Sequence, residues 1–295
     1  MDASDLRIFE AVARLGGISR AAEALHTVQS NVTARIRQLE QELGTPLFRR
    51  LPRGVEPTGA GRRLLPYARR VAHLLEEARR ATRDDGTPQG PLVIGALETS
   101  AALRLSRPLA AYVAAYPAVD LTLRTGTTCE LMQQVLEDRL EGAFVCGPIA
   151  HPELLAVTVF REELALLTAP SVGSADALAA AGGVRIVVLR AGCSYRQRLE
   201  EILARRGIAA PRILEFGTVE AIFGCVAANL GITLLPRALI GPVWQDGRVA
   251  LHALPPHEAM VDTVFIRRRD SHQSSALAAF LAMLRPAQDM PLAAE

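Results

Sequence analysis

Apolar residues near the start of the chain recur at helical spacing in three short segments. The first segment, residues 5–15, gathers Leu6, Phe9 and Val12 on one side. The second follows the pair Gly16-Gly17 and begins with Ser19 as its predicted cap. The third places Val32, Ile36, Leu39 and Leu43 in one stripe. Together they predict a small helical core.

The third segment has the features of a helix that reads DNA. Thr27 is its predicted cap, and Gly44 with Pro46 predicts its end. Its polar side combines short hydrogen-bonding side chains with cations: Gln29, Ser30, Asn31, Thr33, Arg35 and Arg37. A recognition helix needs such groups to reach base edges and nearby phosphates. The alternative is an ordinary helical subdomain with a solvated polar face.

A hairpin rich in arginine follows this helix. Residues 48–51 and 55–58 can pair as two short strands around the turn Pro52-Arg53-Gly54. Four side chains are expected to position the hairpin on the DNA backbone: Arg49, Arg50, Arg53 and Thr58. A helix-turn-helix followed by such a hairpin predicts a winged DNA-binding domain over residues 1–58.

Charge is distributed unevenly along the 295 residues. Residues 1–90 hold 15 arginines and 11 acidic residues, a net of +4, whereas residues 91–295 hold 18 and 20, a net of −2. Between Leu43 and Arg70 there are seven arginines and one acid, Glu56, a net of +6. A local basic excess of this kind predicts a surface that binds phosphates.

Residues 59–90 read as a long helix and a hinge. The apolar positions form a seam at alternating spacings of four and three: Leu64, Ala68, Val71, Leu75 and Ala78. Such a seam predicts pairing with a second copy of the chain, although packing of the helix on its own domain is the alternative. Pro66 predicts a kink or a weak first turn, and the polar stretch 84–91 reads as the hinge.

Beyond the hinge, short apolar strands alternate with amphipathic helices. Strands are predicted at 92–96, 120–125, 142–146, 163–168, 184–189, 212–216, 231–235 and 261–266, and helices at 101–116, 130–140, 195–206, 219–228 and 275–284. This alternation indicates βαβ units and a parallel sheet. Residues 91–295 are therefore expected to form an α/β region.

Ligands of open parallel sheets bind at the carboxyl ends of the strands. Ten side chains lie in the loops at those ends: Glu98, Thr99, Ser100, Thr127, Thr128, Cys146, Cys193, Ser194, Tyr195 and Thr218. The hydroxyls suit a small polar metabolite, although each can instead be a helix cap. Arg190 or Arg196 would favour an anion, whereas Glu98 favours an amine, a hydroxylated compound or a zwitterion.

Several classes of protein receive no support. Asp2 and Asp5 stand where a signal peptide would be basic, and no apolar run is long enough to cross a bilayer, so we expect a cytoplasmic protein. The four cysteines and six histidines show no metal-ligand spacing. No nucleophile elbow or phosphate loop is present, and we expect neither an enzyme nor a cofactor.

The order of motifs resembles the LysR-type transcriptional regulators. The resemblance rests on short motifs: Ala21-Ala22 with Leu25, Gln29-Ser30, the run 39–44, Leu47-Phe48-Arg49-Arg50, and Thr58 with Gly59 and Gly61. Asn31, Thr33 and Ala34 depart from the family pattern at positions that face DNA. The resemblance therefore leaves the operator sequence open.

The resemblance implies a fold and a set of partners. It implies a winged helix-turn-helix, a linker helix that pairs with a second subunit, and two α/β lobes of the periplasmic-binding-protein type. Lobe one would contain about 91–160 and 262–295, and lobe two about 161–261. The expected partners are double-stranded DNA, a second copy in a dimer or dimer of dimers, a small polar effector between the lobes and RNA polymerase, but no membrane.

Two other functions are compatible with parts of the sequence. The α/β region alone is also compatible with a cytoplasmic small-solute-binding protein that does not touch DNA. Cys129, Cys146 and Cys193 fall on or near the predicted cleft, which is compatible with the thiol-sensing regulation known in some members of the family. Cytosolic cysteines are, however, commonly small buried apolar residues.

Overall fold

The computed structural model describes residues 1–52, 54–173, 184–189, 194–208 and 210–284, without the side chains of residues 242–244. The chain divides into two compact units. The first contains Met1–Asp85, and the second contains Gly86–Leu136 and the chain from Leu140 onward. We call the first unit the head and the second the effector region, and each is described by itself.

The head begins with the three helices expected from the apolar pattern. They are α1 (Ala3–Leu15), α2 (Ile18–Ala24) and α3 (Gln29–Leu43). Helix α1 starts earlier than predicted because Asp2 and Asp5 form a capping box. Helix α3 ends as predicted at Gly44, which adopts the left-handed conformation with φ 66°.

The predicted caps of α2 and α3 are wrong. Gly17 and Val28 occupy the N-cap positions, and neither helix receives a hydrogen bond from a capping side chain. The Thr27 hydroxyl instead accepts a hydrogen bond from the Asn31 side chain at 3.0 Å. A missing capping side chain costs a helix about 1 kcal/mol, so α3 depends on packing for its stability.

Packing of α1, α2 and α3 forms the core of the head. Phe9, Val32 and Leu39 are fully buried, and the Phe9 ring lies 5.2 Å from the Phe48 ring. Leu43, the last member of the predicted stripe, is 38% exposed because it lies in the final turn of α3. The stripe therefore faces the core only as far as Leu39.

The hairpin consists of β1 (Phe48–Leu51) and β2 (Gly54–Pro57), which are antiparallel. Leu51 pairs with Gly54, so Gly54 belongs to the second strand rather than to the turn. Thr58 lies beyond the hairpin as the N-cap of α4 (Gly59–Ala81), where its hydroxyl accepts from the Gly61 N–H at 3.1 Å. The structure thus corrects its predicted role in positioning the wing.

Helix α4 packs on its own unit along its first half. Ala68 is fully buried in the core of the head, and Leu64 and Val71 pack against that core. At Gly61, a Cβ atom would lie 2.3 Å from the Leu47 carbonyl oxygen, so only glycine permits this close approach. At Leu64, Ala68 and Val71 the structure therefore shows the alternative reading, packing on its own domain, and pairing of the helix with a second copy stays a prediction. Pro66 lies inside the helix.

The effector region contains a mixed sheet. Its parallel part consists of β3 (Gly90–Ala96), β4 (Val119–Thr125) and β5 (Gly142–Cys146), with β3 in the centre. Helical segments connect these strands: α5 (Glu98–Ser100), a π-helical turn (Ala101–Leu105), α6 (Ser106–Ala115) and α7 (Thr128–Leu136). This part agrees with the predicted βαβ pattern.

Two long strands make the rest of the sheet antiparallel, contrary to the all-parallel prediction. They are β6 (Leu154–Thr168) and β11 (Met260–Arg268). The first half of β6 pairs with β11, which also pairs with β5. The second half of β6 pairs with β9 (Thr233–Pro236) and β10 (Ala250–His252). Strand β6 therefore belongs to both lobes.

The second lobe is completed by a parallel pair and its helices. The pair is β7 (Arg185–Leu189) and β8 (Arg212–Phe216), and the helices are α8 (Ser194–Arg205), α9 (Val219–Ala227), α10 (Arg237–Gln245) and α11 (Pro256–Ala259). The apolar pattern did not predict α10, α11 or β10. Helix α12 (Ser275–Leu284) packs on the first lobe, where the buried Tyr112 hydroxyl donates to the Ala276 carbonyl at 2.7 Å.

Candidate nucleic-acid interface and effector cleft

The N-terminus of α3 presents polar side chains to the surface. Gln29, Ser30 and Asn31 are all exposed. The Gln29 amide donates to the Ser19 hydroxyl, and Asn31 is held by Thr27, so local contacts orient two of the three side chains. Short polar side chains on the first turn of a helix are the groups that reach base edges in the major groove.

Arg35 does not belong to this exposed set. Its guanidinium lies 3.2 Å from the buried Asp5 carboxylate and 3.6 Å from the Asp2 carboxylate. It therefore ties α3 to the start of α1, and its contact with DNA stays a prediction. Thr33 is partly buried, whereas Arg37 is exposed.

The wing carries two exposed arginines in the described residues. Arg49 and Arg50 are consecutive on β1, so their side chains point to opposite faces of the hairpin. The Arg49 guanidinium forms an ion pair with Glu56 on β2 at 2.9 Å. An exposed pair of this kind is worth at most about 1 kcal/mol, so a phosphate can replace the carboxylate as a partner. Arg53, at the predicted tip, lies outside the described residues.

A cleft opens in the effector region where the loops after β3 and β4 meet those after β7 and β8. Its cavity volume, as the space open to the centre of a water-sized sphere, is about 70 Å³. Among the described residues, eleven line it: Leu97, Glu98, Thr99, Thr125, Gly126, Thr127, Glu130, Leu189, Ser194, Tyr195 and Gly217. Glu98, Thr99, Thr127, Ser194 and Tyr195 were predicted from the sequence, and they come from widely separated parts of the chain.

A buried polar network lies beside this cleft. The Tyr195 hydroxyl donates to the Glu162 carboxylate at 3.3 Å and lies 3.4 Å from the Thr99 hydroxyl. Glu162 in turn accepts from Arg104 at 3.4 Å. Burial raises the pKa of Glu162 above its ordinary value, and the arginine and the tyrosine only partly oppose this. The network joins α5 of lobe one to α8 of lobe two through β6.

A second contact joins the two lobes at the same place. The Thr128 hydroxyl lies 2.9 Å from the Ser194 hydroxyl, and it also accepts from the Cys146 N–H at 3.4 Å. Thr128 and Ser194 are the first residues of α7 and α8. Beside the cleft, two residues of lobe one therefore each contact a residue of lobe two: Thr99 contacts Tyr195, and Thr128 contacts Ser194.

Four predicted effector residues do not line the cleft. Ser100 and Thr128 are buried, and the Cys146 thiol is turned toward the Gly147 carbonyl at 3.6 Å. Thr218 caps α9 by accepting from the Ala221 N–H at 3.3 Å. Each lies near a predicted strand end, but none of the four belongs to the cleft lining. Cys193 lies outside the described residues.

Sequence reasoning missed other residues of the cleft and of its network. Thr125 ends β4, Leu189 ends β7, and the loop glycines Gly126 and Gly217 offer only backbone. Glu130 carried a signal, because an acid three residues after Thr127 predicts a capping interaction. Its carboxylate accepts from the Thr127 N–H at 2.8 Å. Glu162 carried none, because it lies inside a strand.

The charged groups that line the cleft in the described residues are carboxylates. Glu98 and Glu130 are among the lining residues. Arg196 is engaged elsewhere, since its guanidinium contacts Glu200 and Glu215 at 3.1 Å each. Arg190 lies outside the described residues. These positions favour ligands that carry hydroxyl or amino groups.

Metal sites and membrane spans find no support in the part of the chain that the structure describes. No three His, Cys, Asp or Glu side chains are grouped there so that they could hold a metal ion. None of the described helices combines the length and the apolar character needed to cross a membrane.

Two family models match the chain. The model described as a bacterial regulatory helix-turn-helix protein of the lysR family matches residues 3–62. The model described as the LysR substrate binding domain matches residues 85–289. The two matches correspond to the head and to the effector region.

Individual proteins agree with these models. The chain is 44% identical to the HTH-type transcriptional regulator GltR of Bacillus subtilis, with 95% of each chain covered. Its fold is similar to that of ArgP from Mycobacterium tuberculosis, with a TM-score of 0.70, 22% identity and 98% of each chain covered. It is also similar to full-length CbnR complexed with its target DNA, with a TM-score of 0.65, 24% identity, and 97% of this chain and 100% of the other covered.

Proposed function

Because the chain belongs to the LysR family of bacterial transcriptional regulators, we propose a division of work between its two compact units. The chain is a ligand-responsive, DNA-binding regulator of transcription and not an enzyme. The head binds the operator, and the effector region binds the signal. The family membership removes the alternative of a solute-binding protein that does not touch DNA.

In this proposal α3 enters the major groove by its N-terminus. The observation that carries it is the group of exposed polar side chains Gln29, Ser30 and Asn31 at that end of the helix. Arg37, Arg49 and Arg50 are exposed and are available for phosphates beside the groove. Arg53 remains a predicted phosphate contact. The similar fold of a protein crystallised on its target DNA supports this placement.

The proposed dimer uses the outer part of α4. Tyr67, Leu74 and Leu75 are 68%, 60% and 42% exposed, and Ala78 is also exposed. Leu74, Leu75 and Ala78 follow the half of the helix that packs on the head, whereas Tyr67 lies within that half on its exposed side. Exposed apolar groups on a long helix favour pairing with a second copy. Two heads would then bind two half-sites, and two dimers would form a tetramer.

The proposed effector is a small polar metabolite that binds in the cleft without a further cofactor. Five lining side chains offer hydroxyls: Thr99, Thr125, Thr127, Ser194 and Tyr195. With the carboxylates Glu98 and Glu130 on the same surface, the cleft suits a ligand that carries hydroxyl or amino groups. Leu97 and Leu189 provide the apolar part of its wall.

Effector binding would act through the contacts that join the lobes. A ligand shifts a conformational equilibrium only if it binds one arrangement more tightly than the other. Tyr195 lines the cleft and also contacts Thr99 across it, so a ligand in the cleft changes the surroundings of this contact. We propose that closure of the lobes alters the spacing or bend of the bound DNA in the cytoplasm, and with it the access of RNA polymerase.

Two measurements on the full-length chain test the proposal. Gel-shift and footprinting with the DNA upstream of its own gene should show a protected site, and the substitution Asn31→Ala should relax its sequence preference. Arg198→Ala is the control, because Arg198 binds carbonyls of lobe two. A chain that binds a metabolite but ignores this DNA would contradict the proposed role of the head.

The effector is sought by a thermal-shift screen of hydroxylated, amino and carboxylic metabolites. A ligand that binds only the folded state raises the apparent stability by an amount set by its concentration and dissociation constant. The shift should disappear in Thr127→Val, which removes a lining hydroxyl, and persist in Thr218→Val, whose hydroxyl caps α9 outside the cleft. A hit that is equally insensitive to both changes would place the effector elsewhere.

A further inference from the structure

Val28 is the most exposed large apolar side chain among the described residues of the helix-turn-helix and wing, at 64%. It occupies the N-cap of α3, immediately before Gln29. Its backbone is extended, with φ −95° and ψ 151°, a conformation that suits a β-branched residue. The side chain therefore stands on the surface at the end of the helix that faces DNA in the proposed function.

The fold of the head gives no account of a valine at this position. The Val28 carbonyl accepts from the Asn31 N–H at 3.1 Å and from the Val32 N–H at 3.3 Å, which any residue would do. The isopropyl group cannot accept a hydrogen bond from the first N–H groups of the helix, as Ser, Thr, Asp or Asn would. It is also largely outside the core. The valine thus forgoes both a cap and burial.

The neighbours of Val28 hold polar groups in fixed positions. Gln29 is bound to Ser19, and Asn31 is bound to Thr27. These contacts frame the apolar side chain with oriented amides. A methyl-bearing surface beside hydrogen-bonding groups has a counterpart in the major groove, where thymine presents a C5-methyl group beside its O4 acceptor.

We propose that Val28 reads thymine by contact between its isopropyl group and the C5-methyl group in the major groove. This inference rests on the proposed entry of α3 into that groove. It assigns to one residue a preference for thymine over cytosine at one position of each half-site. Adenine and guanine present polar edges there and would leave the isopropyl group without an apolar partner.

The experiment removes the methyl group from the DNA instead of relying on a mutation alone. The fragment upstream of the gene is amplified once with thymidine triphosphate and once with deoxyuridine triphosphate. Affinities of the full-length wild type and of Val28→Ser are measured on both fragments. A buried methyl group is worth several-fold in affinity, so the wild type should bind the uracil fragment about three- to ten-fold more weakly for a dimer.

The quantity compared is the ratio of the affinity for the thymine fragment to the affinity for the uracil fragment. Val28→Ser should reduce this ratio to the value that the other methyl groups of the fragment cause. The four affinities, of two proteins for two fragments, form a double-mutant cycle that isolates the contact between the Val28 isopropyl group and the thymine methyl group. Leu43→Ser is the matched control, because Leu43 is exposed at the opposite end of α3 and its change should leave the ratio as in the wild type. Serine can cap α3, so the variant should fold at least as well as the wild type, which a melting curve checks.

An equal ratio of the two affinities for wild type and Val28→Ser would overturn the inference. If the variant also bound both fragments more weakly, the valine would be a contact without preference, and if it bound them as well as the wild type, the valine would not contact the DNA. Failure of the wild type to bind either fragment specifically would instead contradict the proposed function of the head.

Discussion

The head and the effector region build their functional surfaces in opposite ways. The head displays neighbours in sequence, from Gln29 to Arg50, on one helix and one hairpin. The cleft joins residues far apart in the chain, such as Thr99 with Tyr195 and Thr128 with Ser194. The first surface is outside its core, whereas the second includes residues that are themselves buried, such as Thr99 and Tyr195.

Because of this difference, the two units should respond to different kinds of substitution. A surface that is carried on one helix survives as long as that helix is packed, and single exposed residues tune its affinity. A cleft between two lobes depends on the contacts that hold the lobes together. Changes in the core should therefore abolish the first function, and changes in a few buried polar contacts should impair the second.

The largest expected effect is on the core of the head. Phe9→Ala removes a fully buried ring that packs against Phe48 and should lower the free energy of unfolding of the head by about 3–5 kcal/mol. Operator binding should be lost, while effector binding persists. Denaturant unfolding and thermal shift with the effector measure the two quantities, and Leu43→Ala on exposed surface is the control. Loss of effector binding together with operator binding would contradict the independence of the two units.

The buried ion pair beside the cleft comes next. Glu162→Ala leaves the Arg104 guanidinium, 15% exposed, without its carboxylate and should destabilise the effector region by about 3 kcal/mol. Glu163→Ala is the matched control, because the adjacent Glu163 pairs with Arg237 on the surface and its loss should cost at most about 1 kcal/mol. Equal effects of the two changes, measured by urea unfolding, would contradict the buried role of Glu162.

The same carboxyl group gives the effector region a pH dependence. Since the folded-state pKa of Glu162 is raised above 4.5, the folded state holds this proton more tightly than the unfolded state. Its contribution to stability is complete below pH 4.5 and is lost as pH rises through the raised pKa. Glu162→Gln should remove this component, so the difference between the two stability curves across that window is the measurement. Parallel curves would contradict the raised pKa.

Removing the hydroxyl of either of two tyrosines should change one free energy by about 1 kcal/mol: that of effector binding for Tyr195 and that of unfolding for Tyr112. Tyr195→Phe removes the hydroxyl that joins Thr99 to Glu162 and should weaken effector binding about five- to ten-fold. Tyr112→Phe removes a buried hydroxyl bonded to the Ala276 carbonyl and should lower stability without changing effector affinity. Calorimetric titration with the effector checks both. A similar loss of affinity in both variants would mean that general stability, and not the cleft network, determines binding.

The smallest expected effect is on the salt dependence of DNA binding, which should differ between substitutions of two arginines of the head. Arg50→Ala should weaken binding to all DNA sequences about three-fold and reduce the salt dependence by about one phosphate's share. Arg35→Ala should leave the salt dependence unchanged and lower the stability of the head by about 1–2 kcal/mol, because it leaves the buried Asp5 carboxylate without its guanidinium. A reduced salt slope in Arg35→Ala would support its predicted contact with DNA.

Helix α4 shows the limit of reading a seam from spacing. The pattern predicted a helix, and the structure has one from Gly59 to Ala81. The same spacing suits an inter-subunit seam and a packed intramolecular face, and the head uses Leu64, Ala68 and Val71 for the second. Spacing reveals which residues share a side of a helix but not what covers that side.

The cleft shows a similar limit for individual side chains. The strand-end rule located Glu98, Thr99, Thr127, Ser194 and Tyr195 on the cleft lining, because parallel strands end at one edge of a sheet. It could not distinguish them from Thr218, whose hydroxyl only caps the next helix, whereas the Thr127 hydroxyl lines the cleft and also accepts from the Glu130 N–H. Whether such a hydroxyl lines the cleft depends on the exact direction of the backbone.

Features that neighbouring residues control could be predicted from the sequence: the reading helix, its end at Gly44, the hairpin and most strands of the effector region. These follow from helical spacing, turn chemistry and alternation, which act over a few residues. Three features depend on the tertiary structure. Arg35 forms an ion pair with Asp5 of α1, the first half of α4 packs on the core of the head, and Glu162 is buried between Arg104 and Tyr195. Burial and ion pairing depend on partners brought together by packing, and in the last case these lie 58 and 33 residues away along the chain.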